Sequence, residues 1–181
     1  MTTTSAPAAA PAIPRRRRRA VDVVLAAALL LTVARVWVLE PVEVPSTSMT
    51  PTIEAGDHVL VDHVVPLVRG YHRGDVVVLS APGSGELLVK RVAGVAGDEV
   101  AVRDGVLEVD GVPVDEPWVD PREVDSTFAE LGVVPADRVI VLADHRPEAL
   151  DSRTFGPVPL DALEGRVVAT LWPLDRLGRV S

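Results

Sequence analysis

The sequence predicts a mainly β domain, compact and barrel- or sandwich-like, behind a single N-terminal transmembrane helix. Three observations predict it. Short runs rich in Val and Leu recur from Val42 onward, separated by Gly, Pro and Asp. Turn-forming pairs such as Asp104-Gly105 and Asp110-Gly111 fall between them, and Asp-Gly is favoured in two-residue hairpin turns. One apolar stretch of membrane length precedes them all.

Met1 to Pro14 is rich in Thr, Ala and Pro. It lacks the apolar residues a core needs and reads as a disordered tail. Arg15 to Arg19 form an unbroken basic block, which completes a cytoplasmic segment 1–19. Ala20 to Leu39 is then a mostly apolar run of 20 residues. As a helix it would span about 30 Å, the hydrocarbon thickness of a bilayer. Asp22 and Arg35 lie towards its ends, and Trp37 suits an interfacial position.

A shorter reading exists for the same stretch. Val23 to Ala34 is free of charge and suits the apolar region of a removable signal peptide, with Thr32-Val33-Ala34 as a small-x-small cleavage site. The continuation through Val36-Trp37-Val38-Leu39 favours a retained anchor. In both readings the arginines hold the N-terminus in the cytoplasm and send segment 40–181 across the membrane.

Strands are expected at His58–Val65, Val76–Leu79, Leu87–Val92, Glu99–Val102, Val106–Val109, Val139–Leu142 and Arg166–Trp172. Val106 to Val112 alternates like a half-exposed hairpin strand, and Pro159 to Gly165 has room for one helical turn. Short strands at this spacing suit an all-β barrel or sandwich. Apolar residues make up 48% of the 181 residues but aromatics only 3%, so aliphatic side chains must fill the core.

The formal charge of −8 hides an asymmetry. From Glu40 onward there are 12 basic and 25 acidic residues, a charge of −13. Such a domain repels phosphate backbones, so nucleic acid is not an expected partner. The absence of cysteine excludes disulfides, thiolate zinc sites and cysteine nucleophiles. His58, His63, His72 and His145 show no metal-ligand spacing. No metal or cofactor is expected.

Ser48 lies in Pro45-Ser46-Thr47-Ser48-Met49-Thr50-Pro51-Thr52, just past the apolar run. Ser/Thr clusters usually mark loops, and a polar linker is the plain reading. A serine hydroxyl becomes a useful nucleophile only when a base takes its proton. Lys90 is the only lysine in the chain, and it stands among Leu87, Leu88, Val89 and Val92. Pointed into a core, it would lose charge to desolvation and serve as that base. Pointed outward, it would be an ordinary strand lysine. Arginine cannot take the role near neutral pH. No GxSxG elbow supports a histidine-based triad, and the spacing is not SxxK.

These segments resemble, in order, the boxes of bacterial type I signal peptidases, the serine–lysine leader peptidase family. Pro45–Thr52 with Gly56-Asp57-His58-Val59-Leu60-Val61 is similar to the nucleophile box, and Arg73–Val78 to the next strand. Val89–Asp98 is similar to the lysine box, and Asp151–Pro159 to the end of the last box. The resemblance spans Pro45 to Pro159. It implies Ser48 as nucleophile, Lys90 as general base, and Ser46 with the Ser48 backbone N–H as the oxyanion hole. It implies Arg91, Asp144, Asp151, Ser152 and Arg153 as supporting residues that brace the lysine. Val44, Pro45, Met49 and Val89 would meet the substrate, with shallow apolar pockets for small side chains at the first and third positions before the cut.

The expected activity is removal of signal peptides from exported preproteins by a membrane-anchored serine endopeptidase. Its partners would be preprotein signal peptides, membrane lipid and the export machinery.

The last box departs from the family pattern. Ala143 replaces a glycine, and Ala149 replaces a serine that commonly hydrogen-bonds the lysine; His145 and Pro147 also depart from it. Ala96 replaces a proline in the lysine box. Ser152, Thr154 or a water would then have to supply the missing hydrogen bond. An alternative is a catalytically impaired homologue that binds exported peptides without cleaving them. A self-cleaving repressor-like Ser–Lys protease shares the chemistry, but the anchor and the lack of a DNA-binding head argue against it.

Overall fold

The computed structural model describes residues 21–29, 32, 38–122, 127–147 and 149–180. The chain divides into two units, Met1–Trp37 and Val38–Ser181.

In the first unit residues 21–29 and 32 are helical and exposed. Among the described residues no helix is long and apolar enough to cross a membrane. The tail, the arginine block and much of the expected anchor, residues 20, 30, 31 and 33–37, lie outside the described residues. Leu39, expected to end the anchor, instead opens the first strand.

Among its described residues the second unit has twelve strands: β1 (Leu39–Glu43), β2 (His58–Asp62), β3 (Val76–Ser80), β4 (Leu87–Gly94), β5 (Glu99–Arg103), β6 (Val106–Val109), β7 (Val112–Pro113), β8 (Ala129–Val133), β9 (Arg138–Leu142), β10 (Val158–Pro159), β11 (Leu163–Trp172) and β12 (Gly178–Arg179). Two short helices among the same residues, α1 (Val65–Arg69) and α2 (Ser152–Phe155), interrupt them. The helical turn expected after Pro159 is a 3₁₀ turn at Leu160–Ala162. The expected strand His58–Val65 stops at Asp62, because the Asp62 carboxylate accepts the backbone N–H groups of Val64 and Val65 and turns the chain into α1.

The larger sheet runs β1-β2-β11-β3-β4-β9-β10, with β12 beside β11. The smaller runs β7-β6-β5-β8. Adjacent strands are antiparallel throughout. The mainly β expectation holds, but the larger sheet has two free edges, β1 and β10, and is not a closed barrel.

Continuous apolar runs mark β3 and β4 because both of their faces are covered. Val76, Val78 and Val89 join one buried cluster with Val44, Met49 and Ile53. Val77, Leu79, Leu88 and Val92 join a second on the opposite side. A third cluster unites the smaller sheet with Ala93, Ile140 and Leu142. Gly94 makes that contact possible: a Cβ there would lie 2.4 Å from Val100 Cγ2. Both Asp-Gly pairs form two-residue turns with positive φ at each residue, as the right-handed strand twist requires.

Candidate active site

Ser48 is held by what flanks it. Val44 and Met49 are fully buried on either side. Val44 exchanges backbone hydrogen bonds with Asp57 and Gly56. Ile53, fully buried, donates its N–H to the Met49 carbonyl at 2.9 Å and closes a turn. The Ser48 carbonyl accepts the His145 N–H at 3.0 Å, which ties the serine loop to the segment beyond β9. The serine loop is therefore fixed at both ends, unlike a plain polar linker.

Lys90 lies in β4 opposite Val77 of β3 and is 1% exposed. Its Nζ lies 2.7 Å from Ser48 Oγ and donates to the Val89 carbonyl at 3.0 Å. Burial lowers its pKa from an ordinary 10.5 to about 8; the carboxylates of Asp151, Asp144 and Glu86 partly oppose this. A substantial neutral fraction therefore exists at mildly alkaline pH, and a neutral amine across 2.7 Å can accept the serine proton. Ser46 Oγ is 3.0 Å from Ser48 Oγ, and the Ser48 N–H points to it at 3.5 Å. Ser46 Oγ and the Ser48 N–H thus stand side by side next to Ser48 Oγ.

The residues expected to support the lysine divide into two groups. Arg91, on the opposite face of β4 from Lys90, grips Asp144 through Nε and Nη2 at 2.9 and 2.8 Å. Thr52 donates to the same carboxylate at 2.6 Å, and the guanidinium lies 4.1 Å over the Trp118 ring. This pair is buried, so it differs from the weak surface pair a bare sequence would suggest. Asp151 is fully buried. It accepts the Ala143 N–H at 3.0 Å, caps α2 through the Arg153 N–H, and pairs with the Arg153 guanidinium. It thereby fixes the strand end that carries Asp144.

Among the described residues Ser152 makes no hydrogen bond to Lys90. Its Oγ accepts the Val141 N–H at 3.0 Å and holds α2 to β9. Thr154 is exposed. The hydrogen-bond partner that sequence reasoning missed is the Val89 carbonyl, a backbone group no side-chain motif reveals.

A cleft of about 360 Å³ opens over the pair, lined by Ser46, Ser48, Leu88, Lys90, Ala149 and neighbours that include Glu86. Val44, Met49 and Val89 do not line it; they pack in the cluster behind the dyad, and Pro45 is exposed. Leu88 lies within the expected substrate edge Leu87–Val89, but Glu86 was not expected here. The alternation 86, 88, 90 along one strand face was the signal that could have found it.

Two features bear on an extended ligand. Leu87 to Lys90 pair with β3 alone, because β9 joins β4 only from Arg91. β1 pairs with β2 alone. Four antiparallel steps separate β1 from β4, so the two run in the same direction and lead to Ser48 and Lys90.

Known proteins resemble this chain in sequence. The family model "Signal peptidase, peptidase S26" matches residues 17–172. Signal peptidase I of Leptolyngbya laminosa is 33% identical over 154 residues, which cover 81% of this chain and 75% of that protein. Thylakoidal processing peptidase 1, chloroplastic, of Arabidopsis thaliana is 35% identical over 149 residues, 76% of this chain but 43% of the plant protein. A crystal structure of a signal peptidase I from Enterococcus faecalis V583 has 30% identity and a TM-score of 0.48, over 53% of this chain and 95% of that one. The chain belongs to the signal peptidase family, peptidase S26, a family of serine endopeptidases.

Proposed function

We propose that this chain is a membrane-anchored endopeptidase that removes N-terminal signal peptides from exported preproteins through a Ser48–Lys90 dyad. The observation that carries the reading is the 2.7 Å contact between a buried lysine and a serine held at both ends. An extended substrate would lie along the unpaired edges of Val42–Pro45 and Leu87–Val89, adding main-chain hydrogen bonds as a strand does. Val44, Met49 and Val89, buried behind the dyad, would bear on its small side chains only through the residues that line the cleft.

Ser48 Oγ attacks the scissile carbonyl while its proton passes to neutral Lys90 Nζ. The oxyanion takes hydrogen bonds from Ser46 Oγ–H and the Ser48 N–H. Collapse of the tetrahedral intermediate breaks the C–N bond, and Nζ returns the proton to the leaving amine. The acyl-enzyme on Ser48 is then hydrolysed by a water that Lys90 deprotonates. Arg91–Asp144 and Asp151–Arg153 hold the strand and loop on which this depends. The arginine block and apolar run support an anchor with segment 40–181 outside the cytoplasm. The cleft contact without a hydroxyl at position 149 favours catalysis over the non-cleaving alternative.

Purified full-length protein in detergent, mixed with a preprotein and followed by gel, tests this. Cleavage should be lost in Ser48→Ala and slowed about 10²- to 10³-fold in Ser46→Ala. An unimpaired Ser48→Ala variant would refute the mechanism.

A further inference from the structure

The cleft carries a charge that the dyad chemistry does not use. Glu86, Leu88 and Lys90 alternate on one face of the β4 chain and line the same cleft. Glu86 continues the β3–β4 pairing one step beyond Leu87, since its carbonyl accepts the Ala81 N–H at 2.7 Å. Its backbone is therefore held, while its residue is exposed. Among the described residues it is the only carboxylate lining the cleft, and no described cation forms an ion pair with it. At about 3.3 Å per residue, Glu86 stands about 13 Å from Lys90 along the strand. A substrate strand lying alongside has the same rise and reaches Glu86 about four residues from the scissile bond.

We propose that Glu86 is a specificity-determining residue that favours substrates carrying a lysine or arginine about four residues before the cut. This rests on the proposed Ser48–Lys90 cleavage and on the substrate strand lying along Leu87–Val89. A basic side chain there meets an unpartnered carboxylate at the rim, with Leu88 beneath its methylenes. The domain's acidic balance reinforces the attraction and suppresses acidic competitors.

The test compares kcat/KM for matched peptide substrates that carry Lys, Gln or Glu at the third, fourth or fifth position before the cut. The full-length enzyme in detergent is used. Wild type should prefer Lys over Gln by about three- to fivefold at low salt, the scale of an exposed pair, and the ratio should fall towards one in about 0.5 M salt. Glu86→Gln should abolish the preference, and Glu86→Lys should invert it towards the Glu peptide. Glu86 also favours the charged form of Lys90. Its removal therefore shifts the pH dependence equally for all peptides, and the ratio within one enzyme cancels that effect.

A Lys:Gln ratio that is the same in wild type and both variants would overturn the proposal while leaving the dyad standing. Failure of wild type to cleave even the Gln peptide, or cleavage by Ser48→Ala, would instead remove the reading on which it rests.

Discussion

If Lys90 is the buried base, its ionisation must appear in both stability and rate. The folded pKa of about 8 lies below the ordinary 10.5 because burial penalises the ammonium. Between those values the unfolded chain binds more protons than the folded one, so stability rises with pH there. Below pH 8 both states are protonated and Lys90 contributes no slope. The gap of about 2.5 pH units corresponds to about 3 kcal/mol. Lys90→Met removes the titration.

Urea unfolding of both proteins at intervals from pH 7 to 10.5 reads the effect directly. The difference in stability, wild type minus Lys90→Met, should be flat up to about pH 8 and then rise by about 3 kcal/mol towards pH 10.5. The rate carries the same signature. The neutral fraction is about one tenth at pH 7 and nine tenths at pH 9, so kcat/KM should climb about tenfold across that interval. A flat stability difference together with a rate lacking a limb near pH 8 would refute the argument and leave Lys90 a strand residue.

Two further outcomes are expected. Asp144→Asn leaves the buried Arg91 guanidinium without its carboxylate and should cost about 3–5 kcal/mol, read by urea or thermal unfolding; a change below about 1 kcal/mol would show that Thr52, Gly74 and Trp118 suffice to hold Arg91. Ala149→Ser adds a hydroxyl on the cleft beside an amine whose described acceptors are Ser48 Oγ and the Val89 carbonyl. It should keep or raise kcat/KM, by up to about tenfold, and a large fall would show that the site is shaped around the smaller side chain.

Much of the strand pattern was legible because burial on both faces writes an unbroken apolar run, as at Val76–Leu79 and Leu87–Val92, and because Asp-Gly pairs name their own turns. The Ser48–Lys90 pairing was legible as chemistry: one lysine in an apolar surround, one serine cluster, and the family boxes in order. Strands β8 (Ala129–Val133) and β12 (Gly178–Arg179) were not, since edge and short strands carry mixed burial and no clean alternation.

Other features belong to the tertiary structure because they arise between segments far apart in the chain. Strand order sets β11 between β2 and β3. Long-range packing buries the Arg91–Asp144 pair and lays Trp118 against it, where residue types alone allowed a solvent-exposed pair. Lys90 donates to a backbone carbonyl, Val89, and Ser152 accepts the Val141 N–H, pairings no side-chain motif reveals. Composition determined that a base was available; only the fold, by excluding water from Lys90 and bringing it within 2.7 Å of Ser48, decided that it could act as one.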